Sequence, residues 1–268
     1  VNSHVEYADE IMLNEYRNLG YKEKYQKDLD HNLRLKTYEE ADCILCPSEF
    51  VRRSFISKGF SPERLLKVNF GFPPMEVGAV DKAPKETFRI LYVGQLHYRK
   101  GLRYAIEAFK KLNHPRKEFI IVGPSTPFTG LEKTQVPDGV KFTGALKGEE
   151  LKNQYRSASV FVLPSLEEGL ALVQGEALSF GIPLLITTNT GGDDIITDGA
   201  EGFIVPPADV QTLADRLQEM ADDDDLLSQM SEKALIAAKT LGSWDVAVDR
   251  LVKQLKPAFA SLADKKFE

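Results

Sequence analysis

The stretch Val160-Phe161-Val162-Leu163-Pro164-Ser165-Leu166-Glu167-Glu168-Gly169, read on to Ile186, decides the fold. Val160 to Leu163 is a continuous apolar run ended by Pro164, the mark of a buried strand. Residues 170–180 follow as a helix, and Gly181 stops it. Leu184 to Ile186 is the next short apolar run. Strand, helix and strand in so short a span spell a parallel βαβ unit.

The same grammar extends in both directions. Upstream, Phe88 to Val93 is a strand ending at Gly94. Leu102, Ala105, Ile106, Phe109 and Leu112 then repeat at helical spacing, so one stripe of that helix faces a core. Phe119 to Val122 is a strand before Gly123, Val140 to Phe142 a short one before Gly144, and residues 149–157 are helical. Downstream, Phe203 to Val205 is a strand before Pro206-Pro207. Helices cover 209–222 and 225–240, and a last one runs from Trp244 to about Leu262. This alternation predicts an α/β fold, a Rossmann-like parallel sheet with helices on both faces.

Toward the start, residues 5–20 and 22–40 read as two helices punctuated by Gly20. Ala41 to Cys46 is a strand stopped by Pro47, and Ser48 caps a helix over 49–58 that ends at Gly59. Leu65 to Phe70 is a further strand. Residues 71–87 hold Gly71, Pro73, Pro74, Gly78 and Pro84 with little apolar pattern and read as a linker. The expected division is a first domain over 1–80, the Rossmann-like domain over 81–243, and a terminal helix over 244–268, which in the family resemblance given below packs back toward the first domain.

Composition excludes several classes. The 34 basic and 40 acidic residues give a net charge of −6, which argues against a general nucleic-acid binder. At 43% hydrophobic and 28% charged residues, the 268-residue chain can bury a core in water. No run approaches the roughly 20 apolar residues of a bilayer span. No charged segment leads into an apolar one as in a signal peptide, so a cytoplasmic protein is expected. Two cysteines rule out a disulfide scaffold.

Ligands of such sheets bind outside the carboxyl ends of the strands, and three clusters lie there. Gly94-Gln95-Leu96-His97-Tyr98-Arg99-Lys100-Gly101 joins a strand to a helix and holds two cations at a helix N-terminus. That suits a phosphate, and equally a solvated loop. In the Pro164 to Leu178 stretch, Gly169 lets the backbone approach a ligand, and Glu168 and Glu176 suit sugar hydroxyls or stand as solvated glutamates. Thr187-Thr188-Asn189-Thr190-Gly191-Gly192-Asp193-Asp194 lines a site or makes a wide turn.

Other features carry less. Cys43 and Cys46 lack the second pair a zinc site needs and read as buried thiols. His31, His97 and His114 share no ligand spacing, and His97 reads as a solvated loop residue. Asp222 to Asp225 reads as a solvated helix junction. Asp193-Asp194, as a metal-binding acid pair, has the wrong order of elements around it.

The clusters together have a recognisable order. Gly94-x5-Lys100-Gly101 precedes a helix; Pro164-Ser165-x2-Glu168-Gly169 follows; Glu176 comes seven intervening residues after Glu168; then Gly181-x-Pro183, Gly191-Gly192, and Asp198-Gly199-x2-Gly202-Phe203-x-Val205-x-Pro207. This order over about 88–262 resembles the nucleotide-binding half of the retaining glycosyltransferases of family 4 (glycosyl transferases group 1), which have the GT-B fold. Ala41-Asp42, Pro47-Ser48-Glu49-Phe50 and Gly71 resemble the end of that family's first domain. A Rossmann oxidoreductase would instead carry a Gly-x-Gly-x2-Gly turn after its first strand, absent here.

The resemblance implies transfer of a hexose-type sugar with retention from a UDP-, GDP- or ADP-linked donor to a glycan or lipid-linked acceptor, as in polysaccharide biosynthesis. It implies no metal and no cofactor, and no nucleic-acid partner. It implies that Lys100 grips the donor diphosphate, that Glu168 contacts the donor sugar, and that Glu176 takes the ribose hydroxyls. Amides of Gly169, Leu170, Ala171 and Leu172 would face the distal phosphate, with Ala171 where a second glycine is frequent. Gln95 stands where the family usually has Arg, and Arg99 is the substitute cation. The base would lie near Gly144 to Leu146 and near Pro164-Ser165. His4, in Asn2-Ser3-His4, would touch the donor sugar, or else is a solvated terminal residue. Asp194 stands where the family commonly has a Glu. Such a family member has a longer first domain than the roughly 80 residues before this linker, so a missing N-terminal segment or a partner chain is expected. Peripheral association with the inner membrane face is a further implication. The alternative function is a nucleotide-sugar-binding module without turnover.

Overall fold

The computed structural model describes residues 3–20, 30–72, 86–126, 129–132 and 134–265, with side chains to 256. Helix α1 (Val5–Asn18), α2 (His31–Glu40), strand β1 (Ile44–Cys46), α3 (Glu49–Ile56) and β2 (Leu65–Lys67) form the first segment. Then come β3 (Phe88–Val93), α4 (Leu102–Lys111), β4 (Lys117–Val122), β5 (Val140–Gly144), α5 (Gly148–Ser157) and β6 (Val160–Leu163). After them follow α6 (Leu172–Ser179), β7 (Leu184–Thr187), β8 (Gly202–Val205), α7 (Val210–Asp222), α8 (Asp224–Leu241) and α9 (Trp244–Lys265).

The six expected Rossmann-like strands form one parallel sheet in the order β5-β4-β3-β6-β7-β8. The chain winds outward one way from β3 and the other way from β6. The switch point therefore falls between these two strands, and it sets their two following loops side by side at the carboxyl edge. Strands β6 and β7 are buried along their whole length, as sheets covered on both faces require. The expected stripe is core: Leu102, Ile106 and Phe109 are fully buried. β5 is an edge strand whose Phe142 is exposed.

The first segment holds a parallel pair, β1 with β2, over a small core of Val5, Tyr38, Ile44, Phe50, Val51, Phe55 and Leu65. α1 serves both cores, because its Met12 and the following Leu19 belong to the large one. Of the helix read over 22–40, residues 22–29 lie outside the described residues, as do 73–85 of the linker. β2 stops at Lys67 rather than Phe70; beyond it Phe70 turns onto the Trp244 ring, 5.7 Å away. Gly71 passes so close to the Ser243–Trp244 backbone that a Cβ would lie 2.4 Å from it. Trp244 opens α9, and Gln254 on that helix donates to the Lys67 carbonyl at 2.9 Å. α6 begins at Leu172 rather than at 170, because Ala171 is extended.

Cys46 is buried and Cys43 half-buried, both as free thiols, and burial pushes the Cys46 thiol up to about 11. Asp223 caps α8 through the Leu226 amide, so the acidic run is a helix junction. Among the described residues no helix is long and apolar enough to cross a membrane.

Candidate donor site at the switch point

The loop after β3 is a short 3-10 turn, Tyr98–Lys100, that presents two cations. His97 starts the turn by accepting the Arg99 amide at Nδ1 (3.2 Å), and its ring lies against Tyr98, 4.4 Å between centroids. The imidazole is therefore a half-buried cap and not a solvated residue. Burial, aided by Arg99 and Lys100, pushes its pKa down to about 4, so it stays neutral beside them. Gly101 closes the turn at φ +64° and starts α4. A Cβ there would sit 2.0 Å from the Pro164 carbonyl oxygen, so this turn touches the loop after β6 backbone to backbone.

The loop after β6 supplies the acids. Lys100 and Glu168 form an ion pair, each side chain only 13% exposed. Arg99 donates to the Glu167 carbonyl at 2.7 Å, lies 3.2 Å from Glu167 Oε2, and lies 3.4 Å from Glu168 Oε2. Burial first, and then the Arg99 charge, pulls the Lys100 pKa down to about 7, while Glu167 opposes the shift.

Glu167 was not singled out by the sequence reading, yet it is the buried member of the pair, 3% exposed. Its Oε1 accepts from the Ser3 hydroxyl at 2.6 Å. A buried carboxylate needs charged or hydrogen-bonding partners, and Ser3 and Arg99 provide them. The signal available in the sequence was the doubled acid: neighbours on an extended loop point opposite ways, so the two cannot share one role.

The loop after β7 braces this arrangement. The Glu168 amide donates to the Asn189 carbonyl (2.9 Å), and Asn189 Nδ2 donates to the Leu166 carbonyl (2.8 Å). Gln174 on α6 reaches the Thr190 carbonyl at 3.0 Å. Ser48 caps α3 and also donates to the Gly169 carbonyl at 2.5 Å. Asp193 and Asp194 do not form a metal pair. Asp194 accepts the Glu49 amide at 2.5 Å and pairs with Lys67, while Asp193 pairs with Arg53 at 3.0 Å. They fasten the first segment to the sheet. Among the described residues no three His, Cys, Asp or Glu side chains gather as metal ligands.

The remaining candidates are spread around this centre. Leu170 and Ala171 are buried and Leu172 exposed at the start of α6, where no side chain caps the helix. Glu176, in the second turn of α6, accepts from the Tyr155 hydroxyl at 2.7 Å. Ser165 is fully buried, and its Oγ has no hydrogen-bond partner among the described residues. Gly144 is exposed at φ +73° at the end of β5. Gln95 is exposed, and its carbonyl receives the Tyr92 hydroxyl at 2.9 Å.

His4 is not a solvated terminal residue. It is 2% exposed, packed against Phe55 (5.1 Å), Tyr38 (5.2 Å) and Phe60 (5.5 Å), with Nδ1 accepting the Glu6 amide to cap α1. Burial lowers its pKa. Its neighbour Ser3, not His4, is the residue that reaches the acid cluster.

Comparison with known proteins follows this geometry. A family model described as glycosyl transferases group 1 matches residues 78–236, more than half of the chain. The chain is 30% identical over 201 residues to the sulfoquinovosyl transferase SQD2 of Arabidopsis thaliana, covering 69% of this chain and 39% of that protein. It is 29% identical over 215 residues to the putative colanic acid biosynthesis glycosyltransferase WcaL of Salmonella typhimurium, covering 74% and 52%. The chain thus spans about half the length of these curated relatives, or less. Among solved structures, Anabaena Alr3699/HepE in complex with UDP and glucose superposes with a TM-score of 0.72 at 18% identity, covering 85% of this chain and 67% of that one. That likeness shows the fold, the GT-B arrangement that the sequence resembles.

Proposed function

From the premise that this chain belongs to the glycosyl transferases group 1 family, we propose that it carries the donor-binding half of a retaining glycosyltransferase. The observation that supports this reading best is the Lys100–Glu168 pair, flanked by Arg99, at the switch point of the sheet. A diphosphate entering there exchanges for Glu168 as the partner of the two cations. Glu168 is then released toward the hydroxyls of the donor sugar, and Glu176 takes the ribose hydroxyls. Gly144 and Ser165 flank the base.

In the transfer step the bond from the anomeric carbon to the diphosphate oxygen breaks, and its electron pair stays on the diphosphate. Lys100, Arg99 and the amides of Gly169 to Leu172 stabilise that charge in place of a metal. The acceptor hydroxyl attacks the oxocarbenium-like carbon from the same face and yields its proton to the leaving phosphate. The acceptor is a glycan or a lipid-linked chain, met in the cytoplasm or at the inner membrane face, and the rest of the acceptor side comes from a further segment or a partner chain. His4 is packed in the aromatic core, which favours the second reading, a nucleotide-sugar-binding module without turnover, for residues 1–268 alone.

A thermal-shift series with UDP, GDP, ADP and their sugar conjugates tests the reading. At a ligand concentration about 100 times Kd the stabilisation is about 2.7 kcal/mol, a rise of several degrees in Tm. One nucleotide is expected to give it, with or without EDTA, and Glu176→Ala to cut it to about half or less. No rise with any nucleotide, or a rise lost in EDTA, overturns the reading.

The Lys100 pKa adds a pH dependence. A bound diphosphate favours the ammonium form, so above pH 7 binding must take up a proton, and affinity falls by up to about tenfold per pH unit. The groups facing Lys100 are Arg99, Glu167 and Glu168, and His97 is already neutral in this range. Calorimetry between pH 6.5 and 8.5 is expected to show this weakening together with proton uptake. A flat profile removes Lys100 from the site.

A further inference from the structure

Tyr155 lies on α5, away from both charged loops, and was assigned no role by the sequence. Its ring is fully buried and stacked on Phe180, 5.2 Å between centroids and 6° from parallel. Phe161 lies on it at 6.3 Å. Packing alone would be satisfied by phenylalanine. The hydroxyl is what phenylalanine lacks, and among the described residues it donates to Glu176 Oε2 at 2.7 Å.

A glutamate on a helix surface has three rotatable bonds, and its carboxylate wanders unless something holds it. Here one oxygen is held by a donor that the core itself fixes. A carboxylate offers about four lone-pair sites, so a single phenol leaves enough for a pair of neighbouring hydroxyls. Resting on the reading that Glu176 takes the ribose, we propose that Tyr155 is a positioning residue that aims the Glu176 carboxylate and thereby sets the preference for a ribonucleotide over a deoxyribonucleotide. Burial and the charge of Glu176 both raise the Tyr155 pKa well above the ordinary phenol value, so the hydroxyl remains a donor at every pH of interest.

The test is calorimetry of UDP, GDP and ADP against their 2′-deoxy and 3′-deoxy counterparts on the full chain. The parent protein is expected to favour the ribonucleotide by at least about tenfold, the worth of a hydrogen bond to a charged group. Tyr155→Phe keeps the ring stack and leaves Glu176, itself half-buried, open to water, so the variant folds. It is expected to shrink the ratio to about threefold or less by weakening the ribonucleotide alone. An undiminished ratio in Tyr155→Phe overturns the proposal. So does equal weakening of both nucleotides, which is the signature of a merely structural residue. Glu176→Gln separates the two readings. If it keeps the full ratio, or if the parent protein shows none, the ribose role of Glu176 fails, and the role of Tyr155 falls with it.

Discussion

Lys100→Ala is expected to weaken binding of a nucleoside diphosphate by about a hundredfold while leaving the Tm within a few degrees of the parent. The size follows from the contact. A charge-assisted hydrogen bond to a phosphate is worth about 1.5–3 kcal/mol, and a site screened from water holds the upper end of that range. The small change in stability follows from the lowered pKa. Folding costs the ammonium form, so between pH 7 and 10.5 the unfolded chain binds more protons at this residue than the folded one. The stability recovered as pH rises through this window is lost again as pH falls toward 7, which offsets part of what the pair with Glu168 contributes. Deleting it leaves Glu168 still 3.4 Å from Arg99. The nucleoside alone, which carries no phosphate, is expected to bind both proteins equally. Titration of UDP, GDP or ADP and of the matching nucleoside against each protein checks this. A fall in Tm of ten degrees or more with unchanged diphosphate affinity would make Lys100 a structural residue.

The second large effect is expected at Gly101. Alanine there meets two penalties. The residue sits at φ +64°, where a Cβ costs roughly 1–2 kcal/mol. That Cβ would also lie 2.0 Å from the Pro164 carbonyl, and relieving the clash moves one of two backbones, at about 1–3 kcal/mol. Together about 3 kcal/mol is lost, or about 6–12 °C in Tm. The displaced turn carries Arg99 and Lys100, so the nucleotide-induced rise in Tm should disappear as well. Thermal scans with and without nucleotide read both. A variant with parent-like Tm and nucleotide response would show that the two loops do not bear on each other.

The sequence exposed those parts of this molecule that depend on one stretch of chain. Most strands of the sheet are short apolar runs, four of them closed at once by glycine or proline, and each strand lies where its run predicts. Lys100, Glu168 and Glu176 stood out through the order of motifs that resembles the family, and the structure brings Lys100 and Glu168 into contact. What stayed hidden depends on partners far along the chain. Ser3 and Glu167 are 164 residues apart, and Ser48 and Gly169 are 121 apart. No local pattern records such pairs. Of the two readings of His4, the solvated one fails because Tyr38 of α2, Phe55 of α3 and Phe60 just beyond α3 close around it. Asp193 and Asp194 were read from their neighbours in sequence, and their partners Arg53, Lys67 and the Glu49 amide all belong to the first segment.

The pairing of Arg99 and Lys100 with Glu167 and Glu168 bears on ionic strength. Exposed basic patches gather small anions from solution and release them when a phosphate arrives, which makes their affinity fall steeply with added salt. This cluster brings its own counterions, two carboxylates fixed in the chain, and they are not diluted or concentrated by the medium. Exchange of one internal anion for a bound one releases few ions to bulk. On the proposed reading, binding of a diphosphate is thereby expected to be nearly indifferent to the salt around it.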